Sequence, residues 1–115
     1  MHVRNKVADY ISERDGLKAN ADNIYLTNGA SEGVRTSFTA LIRNSHDGIL
    51  VPIPQYPLYS ALLTLSDAEL IPYYLKEEKG WGLDAEALEK QIVKYKENGF
   101  TPRGIVVINP GNPTG

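Results

Sequence analysis

The feature that most constrains this 115-residue chain is a cluster of turn-forming residues that directly follows a short apolar run. Residues 105–108 are Ile-Val-Val-Ile, and residues 109–115 are Asn-Pro-Gly-Asn-Pro-Thr-Gly. A short run of β-branched residues is typical of a strand that is covered on both faces, as in a parallel sheet. The prolines and glycines then end that strand abruptly. The sequence therefore predicts a strand of an α/β sheet that stops in a rigid turn.

The two asparagines of this turn are candidates for ligand binding. Ligands of open α/β sheets bind at the carboxyl ends of the strands, where Asn109 and Asn112 hold amide groups on stiff backbone. The alternative is that both residues only form the turn, since Asn-Pro and Gly-Asn pairs are common turn formers. The heptapeptide alone does not decide between these interpretations.

The rest of the chain alternates between helical and strand patterns. Apolar residues at helical spacing predict helices at about residues 3–15, 31–43, 57–66 and 84–98. The first has the stripe Val3, Val7, Tyr10 and Ile11, the third has the inward stripe Leu58, Leu62 and Leu65, and Asp84 is the predicted N-cap of the fourth. Short apolar runs predict three further strands at residues 24–26, 49–51 and 69–75, and the run at 49–51 is apolar on both faces. Pro72 cannot donate to a strand ladder, so the strand that contains it should lie at a sheet edge. This order predicts an α/β fold with a mostly parallel sheet and right-handed crossover helices.

Composition excludes several classes of function. A net charge of −2 gives no basic surface for nucleic acid or an anionic membrane. The chain has no cysteine, and its two histidines lie far apart, so we expect neither disulfides nor a metal site. No apolar run has the length of a membrane span or of a signal-peptide core. We therefore expect a cytoplasmic protein, with a mitochondrial location left open.

The first predicted strand ends in small residues at the start of a helix. Residues 28–31 are Asn-Gly-Ala-Ser, and small residues let a ligand approach the backbone N–H groups of a helix N-terminus. The helix dipole favours an anion at this position, usually a phosphate, and the Ser31 hydroxyl would add a donor. The alternative is an ordinary N-cap with a tight turn.

An aromatic ring follows the second predicted strand. Tyr56 lies in the segment Pro-Ile-Pro-Gln-Tyr-Pro, and Pro57 keeps the backbone of Tyr56 out of the helical region. A ring fixed at a strand end could stack on a flat ligand or pack into the core. Together, the anion site, the ring and the amide donors favour a ligand that is flat, aromatic and phosphorylated.

Four segments of the chain resemble one enzyme family. They are NIYLTNGAS at 23–31, PIPQYPLY at 52–59, GWGLD at 80–84 and VINPGNPTG at 107–115. With these segments the chain resembles the first part of the large domain of class I and II aminotransferases, which have the type I fold. The segments PIPQYPLY and GWGLD are most similar to the alanine aminotransferases. The resemblance runs from near residue 1 to residue 115.

The resemblance implies a cofactor, pyridoxal 5′-phosphate, and a role for four residues. Ala30 and Ser31 would bind its phosphate through their backbone N–H groups, with help from the Ser31 hydroxyl. Tyr56 would stack on the pyridine ring, and Asn112 would donate a hydrogen bond to the phenolic oxygen. Asn109, Gly111 and Thr114 would shape the loop rather than contact the cofactor. The implied reaction moves the amino group of L-alanine to 2-oxoglutarate, giving pyruvate and L-glutamate, in a homodimer.

The family's remaining active-site groups lie beyond the Asn-Pro-Thr-Gly motif. These are the lysine that forms the Schiff base, the acid that pairs with the pyridinium nitrogen and the arginine that binds the substrate carboxylate. Residues 1–115 are therefore expected to form an incomplete part of the cofactor-binding large domain, with no catalytic residue. All seven lysines fall on predicted polar helix faces or loops, where the ammonium stays protonated.

Two alternatives to this family assignment remain open. The chain could belong to another type I enzyme, such as a different aminotransferase or 1-aminocyclopropane-1-carboxylate synthase. It could also be a non-enzymatic α/β binding module that shares these turns.

In the type I fold, the strand at 24–26 pairs with strands that come later in the sequence. We therefore expect this strand to lack neighbours here, and residues 1–115 alone to be poorly soluble because strand edges are exposed.

Overall fold

The computed structural model describes residues 2–115, which form two compact units, one ending at Gly33 and the other running Val34–Gly115. The helices are α1 (His2–Asp15), α2 (Ala30–Leu41), α3 (Leu58–Leu65) and α4 (Ala85–Glu97). The strands are β1 (Asp47–Ile53), β2 (Glu69–Tyr74) and β3 (Thr101–Ile105). Two short 3-10 turns lie at Ala21–Asn23 and Glu77–Lys79. Within this described part, no helix is both long and apolar enough to cross a membrane.

The first unit contains α1, which ends as predicted but covers only part of the predicted apolar stripe. Gly16 follows the helix with a φ of +68°, the left-handed conformation that suits a glycine after a helix. Val3 and Tyr10 of the predicted apolar stripe are exposed, and the buried residue of this helix is Ala8. Val7 and Ile11 of the stripe are partly buried. The stripe therefore predicted the helix correctly, and it predicted only some of the side chains that the helix covers.

The predicted strand at residues 24–26 does not pair with any described residue. The backbone of Ile24 is extended, with φ −103° and ψ 120°, and the Tyr25 side chain is 85% exposed. An extended segment becomes a strand only when a neighbour completes its hydrogen bonds. The segment thus has strand-like backbone without neighbours, as expected from the type I fold.

The second unit is built on a parallel three-stranded sheet in the order β2-β1-β3. This confirms the predicted α/β class and the parallel pairing. Pro72 pairs with Val51 from β2, which has a neighbour on one side only, so its predicted edge position is also confirmed.

The last strand begins earlier than the sequence predicted, at Thr101 rather than Ile105. Val106 donates its backbone N–H to Leu50 O over 2.8 Å, which continues the ladder by one bond. In a parallel ladder the next donor would be the N–H of residue 52, but Pro52 has none. The Val106 carbonyl instead accepts a 2.6 Å hydrogen bond from the Tyr73 hydroxyl. The ladder therefore ends where the partner strand lacks a donor.

Apolar side chains cover β1 on both faces. Ile49 and Val51 pack on one face with Phe38 of α2 and with Leu62 and Leu63 of α3. On the opposite face, Leu50 packs with residues of β2 and α4, which are Ile71, Tyr73, Leu88, Ile92 and Tyr95. The predicted inward residue Leu65 is 83% exposed, because α3 turns Leu63 toward the sheet instead.

A buried, paired carboxylate lies at the amino end of this sheet. The Asp47 side chain is 1% exposed and accepts hydrogen bonds of 2.9 Å from the backbone N–H, Nε and Nη2 of Arg43. The Arg103 guanidinium lies 4.0 Å from the same carboxylate. The hydrogen bonds from Arg43 hold the pKa of Asp47 well below its usual range. Asp47 therefore joins the end of α2 to β1 and β3 as a carboxylate.

Candidate functional site

The start of α2 offers backbone donors, as predicted for Ala30 and Ser31. Gly29 precedes the helix with a φ of +87°, and both following residues are exposed. Among the described residues, the backbone N–H groups of Ala30 and Ser31 have no hydrogen-bond acceptor. The Asn28 N–H is already bonded to Glu32 Oε2 over 2.9 Å. Two N–H groups and the Ser31 hydroxyl are therefore free to bind an anion, and this donor set fits a phosphate.

The loop after β1 presents Tyr56 to solvent. β1 ends at Ile53, whose carbonyl accepts the Leu75 N–H over 3.1 Å, and α3 begins at Leu58. The Tyr56 side chain is 46% exposed, so it is not a core residue. Tyr59 occupies the core position instead, with its ring centroid 6.5 Å from that of Phe38. Of the two interpretations of Tyr56, the exposed ring agrees with the one in which a ligand covers it.

The loop after β3 is a tight ring that leaves the side chains of Asn109 and Asn112 exposed. The Gly115 N–H donates to the Gly111 carbonyl over 2.9 Å. A Cβ on Gly111 would overlap Thr114 Oγ1, so this position has no room for a side chain. Gly111 and Thr114 therefore shape the loop, as expected, and the Asn112 amide has no structural partner among the described residues.

A cavity of about 330 Å³ lies beside this loop at the carboxyl ends of the three strands. Its walls include Pro52, Tyr73, Leu75, Trp81, Asn109 and Thr114. Neither Tyr56 nor Asn112 lines it. Sequence analysis did not identify Tyr73 as part of this region, because its role depends on the missing N–H of Pro52, which is distant in sequence.

The predicted site residues fall into two groups. Tyr56 and Asn112 belong to the second unit, on loops that leave the neighbouring strands β1 and β3. Ala30 and Ser31 belong to the first unit. Each group offers exposed donors or an exposed ring, which is the chemistry that a phosphorylated aromatic ligand needs.

Lys76 illustrates why lysines of this region are poor candidates for covalent chemistry. Its ammonium pairs with the Asp84 carboxylate, and this hydrogen bond raises the pKa of Lys76. Asp84 Oδ1 also accepts the N–H groups of Glu86 and Ala87 at the start of α4, as its predicted N-cap role requires. The hydrogen bond from Lys76, followed by those from the backbone, lowers the pKa of Asp84 to about 2. Lys76 therefore stays protonated and is a poor nucleophile.

The residues described here also contain no group of histidine and acidic side chains that could hold a metal ion.

Comparison with known proteins agrees with this geometry. The family model of aminotransferase class I and II matches residues 2–115. Alanine aminotransferase 2 of Panicum miliaceum is 54% identical over 98% of this chain, and glutamate–glyoxylate aminotransferase 2 of Arabidopsis thaliana is 50% identical over the same share. The matches cover 23% and 24% of those proteins. An alanine aminotransferase from Pyrococcus furiosus superposes with a TM-score of 0.81 at 30% identity, over 96% of this chain and 26% of that structure.

These comparisons identify the family and show how much of a complete family member the chain covers. The chain spans about a quarter of the length of the relatives it matches. Pyridoxal 5′-phosphate is the cofactor of this kind of enzyme, and the donor set at the start of α2 fits its phosphate. The family match, the parallel sheet and the structural similarity all lead to one assignment. This chain belongs to the class I and II aminotransferases.

Proposed function

We propose that this chain supplies part of the cofactor-binding region of an aminotransferase that moves the amino group of L-alanine to 2-oxoglutarate. The observation that carries the proposal is the exposure of Tyr56 and Asn112 on loops at the carboxyl end of the sheet. Neither side chain has a packing role that would account for it. The relative from Panicum miliaceum, named alanine aminotransferase 2, supports this choice of substrates.

The start of α2 binds the cofactor phosphate in this proposal. Ala30 and Ser31 donate their backbone N–H groups, and the Ser31 hydroxyl adds a third donor. The positive end of the helix dipole lies at the same place, so it favours a dianion. The Asn28 N–H is bonded to the Glu32 carboxylate and the Gly29 N–H to the Thr27 carbonyl, so the donors that face the ligand are those of Ala30 and Ser31.

Tyr56 and Asn112 act on the aromatic ring of the cofactor. Tyr56 covers one face of the pyridine ring and shields it from water. Asn112 donates its amide N–H to the phenolic oxygen, which stabilises the deprotonated oxygen and lowers its pKa. Bound pyridoxal 5′-phosphate supplies the electron sink for chemistry at the α-carbon of an amino acid. The residues of this chain hold and orient that group.

We assign no catalytic residue to the described part of the chain. Lys76 is paired with Asp84 and stays protonated, and the other lysines were predicted to lie on polar surfaces. The catalytic amine and the group that binds the substrate carboxylate would come from other parts of the full-length protein. We further propose that this protein is a cytoplasmic homodimer.

A second candidate reaction uses glutamate and glyoxylate. The relative from Arabidopsis thaliana named for that reaction is 50% identical to this chain, close to the value for the alanine enzyme. The substrate-binding groups that would separate the two reactions are not among the residues we assign. Amino-donor preference is therefore a question for the full-length protein.

An amino-transfer assay on the full-length protein tests the proposal. The protein is loaded with pyridoxal 5′-phosphate and given alanine with 2-oxoglutarate, or glutamate with glyoxylate, and each oxo-acid product is measured. We expect formation of pyruvate from alanine, and none when the cofactor is removed. Activity with glutamate and glyoxylate but not with 2-oxoglutarate as acceptor would select the second reaction. No transfer from any amino acid would reject both.

A further inference from the structure

Gln55 carries a buried polar atom that the fold does not use. Its side-chain carbonyl oxygen, Oε1, is buried and accepts no hydrogen bond from any described residue. A buried acceptor without a partner is destabilising, so folded proteins rarely leave one unless a ligand, a water molecule or another protein group completes it. This residue directly precedes Tyr56, the proposed ring-stacking residue.

Local structure does not explain why an amide is present here. The β1 ladder is complete without it, since the Ile53 carbonyl accepts the Leu75 N–H. The start of α3 has no side-chain cap, and its first backbone bonds run from Tyr59 to Tyr56 O and from Ala61 to Pro57 O. An apolar side chain of the same size would satisfy the backbone equally well. No backbone or side-chain group among the described residues therefore accounts for the buried oxygen.

The position of Gln55 gives it control over the direction of the Tyr56 ring. Pro54 and Pro57 flank the pair, and each proline fixes its own φ. Pro57 also restricts the backbone of Tyr56 to extended conformations. Gln55 is thus the residue between the two prolines with the most backbone freedom. A hydrogen bond to its side chain would restrict that freedom and thereby narrow the directions open to the next residue.

We propose that Gln55 is a positioning residue for the cofactor site. Its amide carbonyl accepts a hydrogen bond from an N–H or O–H donor that the complete site supplies from outside the described residues. That bond holds the Tyr56 ring in the direction that covers the cofactor. This inference rests on the proposed role of Tyr56 and adds a second residue to it.

The first test measures the dissociation constant of pyridoxal 5′-phosphate from the full-length protein by equilibrium dialysis. Gln55→Met keeps the size of the side chain and removes the acceptor, so we expect binding about threefold to tenfold weaker. Gln55→Glu keeps an acceptor at the same position and should restore affinity to within about twofold of the wild type. Gln91→Met is the matched control, because the Gln91 amide donates to the Pro72 carbonyl over 2.8 Å, away from the proposed site. It should leave cofactor affinity unchanged.

A double-mutant cycle shows whether Gln55 acts through Tyr56. In a Tyr56→Ala background, Gln55→Met should weaken cofactor binding little further, because the ring it positions is gone. Equal losses in both backgrounds would overturn the positioning role. So would unchanged affinity together with a higher thermal midpoint in Gln55→Met, which would mean that the buried oxygen has no partner even in the full protein.

The double-mutant cycle also distinguishes failure of the proposed role of Gln55 from failure of the proposed stacking by Tyr56. If Tyr56→Ala weakens cofactor binding and Gln55→Met does not, only the role of Gln55 is rejected. If Tyr56→Ala itself leaves binding unchanged, the proposed stacking by Tyr56 is rejected, and the role of Gln55 with it.

Discussion

The two ends of the parallel sheet differ in whether their polar side chains have hydrogen-bond partners. At the amino end, the carboxylate of Asp47 is 1% exposed and is satisfied by Arg43 and Arg103. At the carboxyl end, Tyr56 and Asn112 are exposed, and Gln55 buries an oxygen without a partner. Both ends belong to the same strands, so the difference does not come from secondary structure.

At the amino end, the polar groups form hydrogen bonds within the fold, whereas those at the carboxyl end are available to bind a ligand. A buried charge is tolerated only when its hydrogen bonds are complete, and Asp47 meets that condition inside the chain. Groups at the carboxyl end remain open, and this is the end at which α/β sheets bind ligands. Substitutions at the amino end should therefore change stability, and those at the carboxyl end should change cofactor binding.

Loss of the buried carboxylate should have the largest effect. Asp47→Ala in the full-length protein leaves the backbone N–H and guanidinium of Arg43 without their acceptor, so the free energy of unfolding should fall steeply. Thermal unfolding and soluble yield measure the change. Asp9→Ala, at an exposed position of α1, is the control and should be nearly neutral. Equal thermal midpoints for the two variants would contradict the stabilising role of the Asp47 carboxylate at the amino end of the sheet.

Removal of the Tyr56 ring should affect binding more than stability. Tyr56→Ala should weaken cofactor binding by about 0.5–1.5 kcal/mol beyond the effect of lost contact area, which is the contribution of one stacked aromatic ring. Tyr56→Phe should be mild, since stacking does not need the hydroxyl. Equilibrium dialysis with pyridoxal 5′-phosphate and a thermal melt measure the two properties. Tyr74→Ala, at a side chain 63% exposed at the end of β2, is the control.

A fall in thermal midpoint for Tyr56→Ala with no change in cofactor affinity would return Tyr56 to a structural role. The same loss of affinity in Tyr74→Ala would show that any exposed ring at this end has the effect, and that the effect is not specific.

Substitution of Asn112 should change an ionisation rather than the fold. Asn112→Ala removes a donor to the cofactor's phenolic oxygen, so the pKa of that oxygen should rise by about one unit in the full-length protein. A spectrophotometric pH titration of the bound cofactor measures the shift. Asn109→Ala is the matched control on the same loop and should leave the titration unchanged. A titration of Asn112→Ala that superimposes on the wild type would remove Asn112 from the site.

The smallest expected effect concerns the partly exposed pair of Lys76 and Asp84. The pKa of Asp84 is lowered to about 2, so its pair adds stability above the ordinary carboxyl pKa, and that stability is lost as pH falls through about 2. Asp84→Asn keeps an N-cap for α4 and removes the charge. The difference in stability between the wild type and this variant should therefore be small at pH 6 and shrink further between pH 4 and pH 2. Denaturant unfolding at several pH values measures it, and a gap that widens in acid would contradict the assignment.

Sequence patterns predicted the features that depend on neighbouring residues in the chain. Asp84 as an N-cap, the edge position of Pro72 and the two covered faces of β1 follow from local chemistry and were confirmed. The bounds of β3 were wrong: the sequence predicted residues 105–108, whereas the strand runs Thr101–Ile105. Its end depends on the missing N–H of Pro52, more than fifty residues earlier in the chain. In α3 the predicted Leu62 is buried, but Leu65 is exposed and Leu63 is buried in its place, since packing sets the rotation of the helix.

For the candidate site, the sequence indicated residue types and positions, and it could not indicate hydrogen-bond partners. The exposed ring of Tyr56 and the free N–H groups of Ala30 and Ser31 are compatible with their predicted roles, which stay predictions until a cofactor-binding experiment is done. The buried oxygen of Gln55 could not be predicted, because burial of a single atom depends on the folded loop. The salt bridge of Asp47 was also missed: its main partner, Arg43, is only four residues away, but the burial of Asp47 and the approach of Arg103 across the sheet depend on the fold.

The register of the sheet has a consequence for the order in which it assembles. Leu50 faces Ile71 roughly 20 residues later through α3, and Ile105 roughly 55 residues later on its other side. Closing a longer loop loses more chain entropy, by about 0.6 kcal/mol for each doubling of length. On a ribosome, β1, α3 and β2 also emerge before β3 is made. The parallel pair of β1 and β2, joined by α3, should therefore gain protection from amide hydrogen exchange first. Strand β3 and the loop that contains Asn109 and Asn112 should then add to this pair of strands.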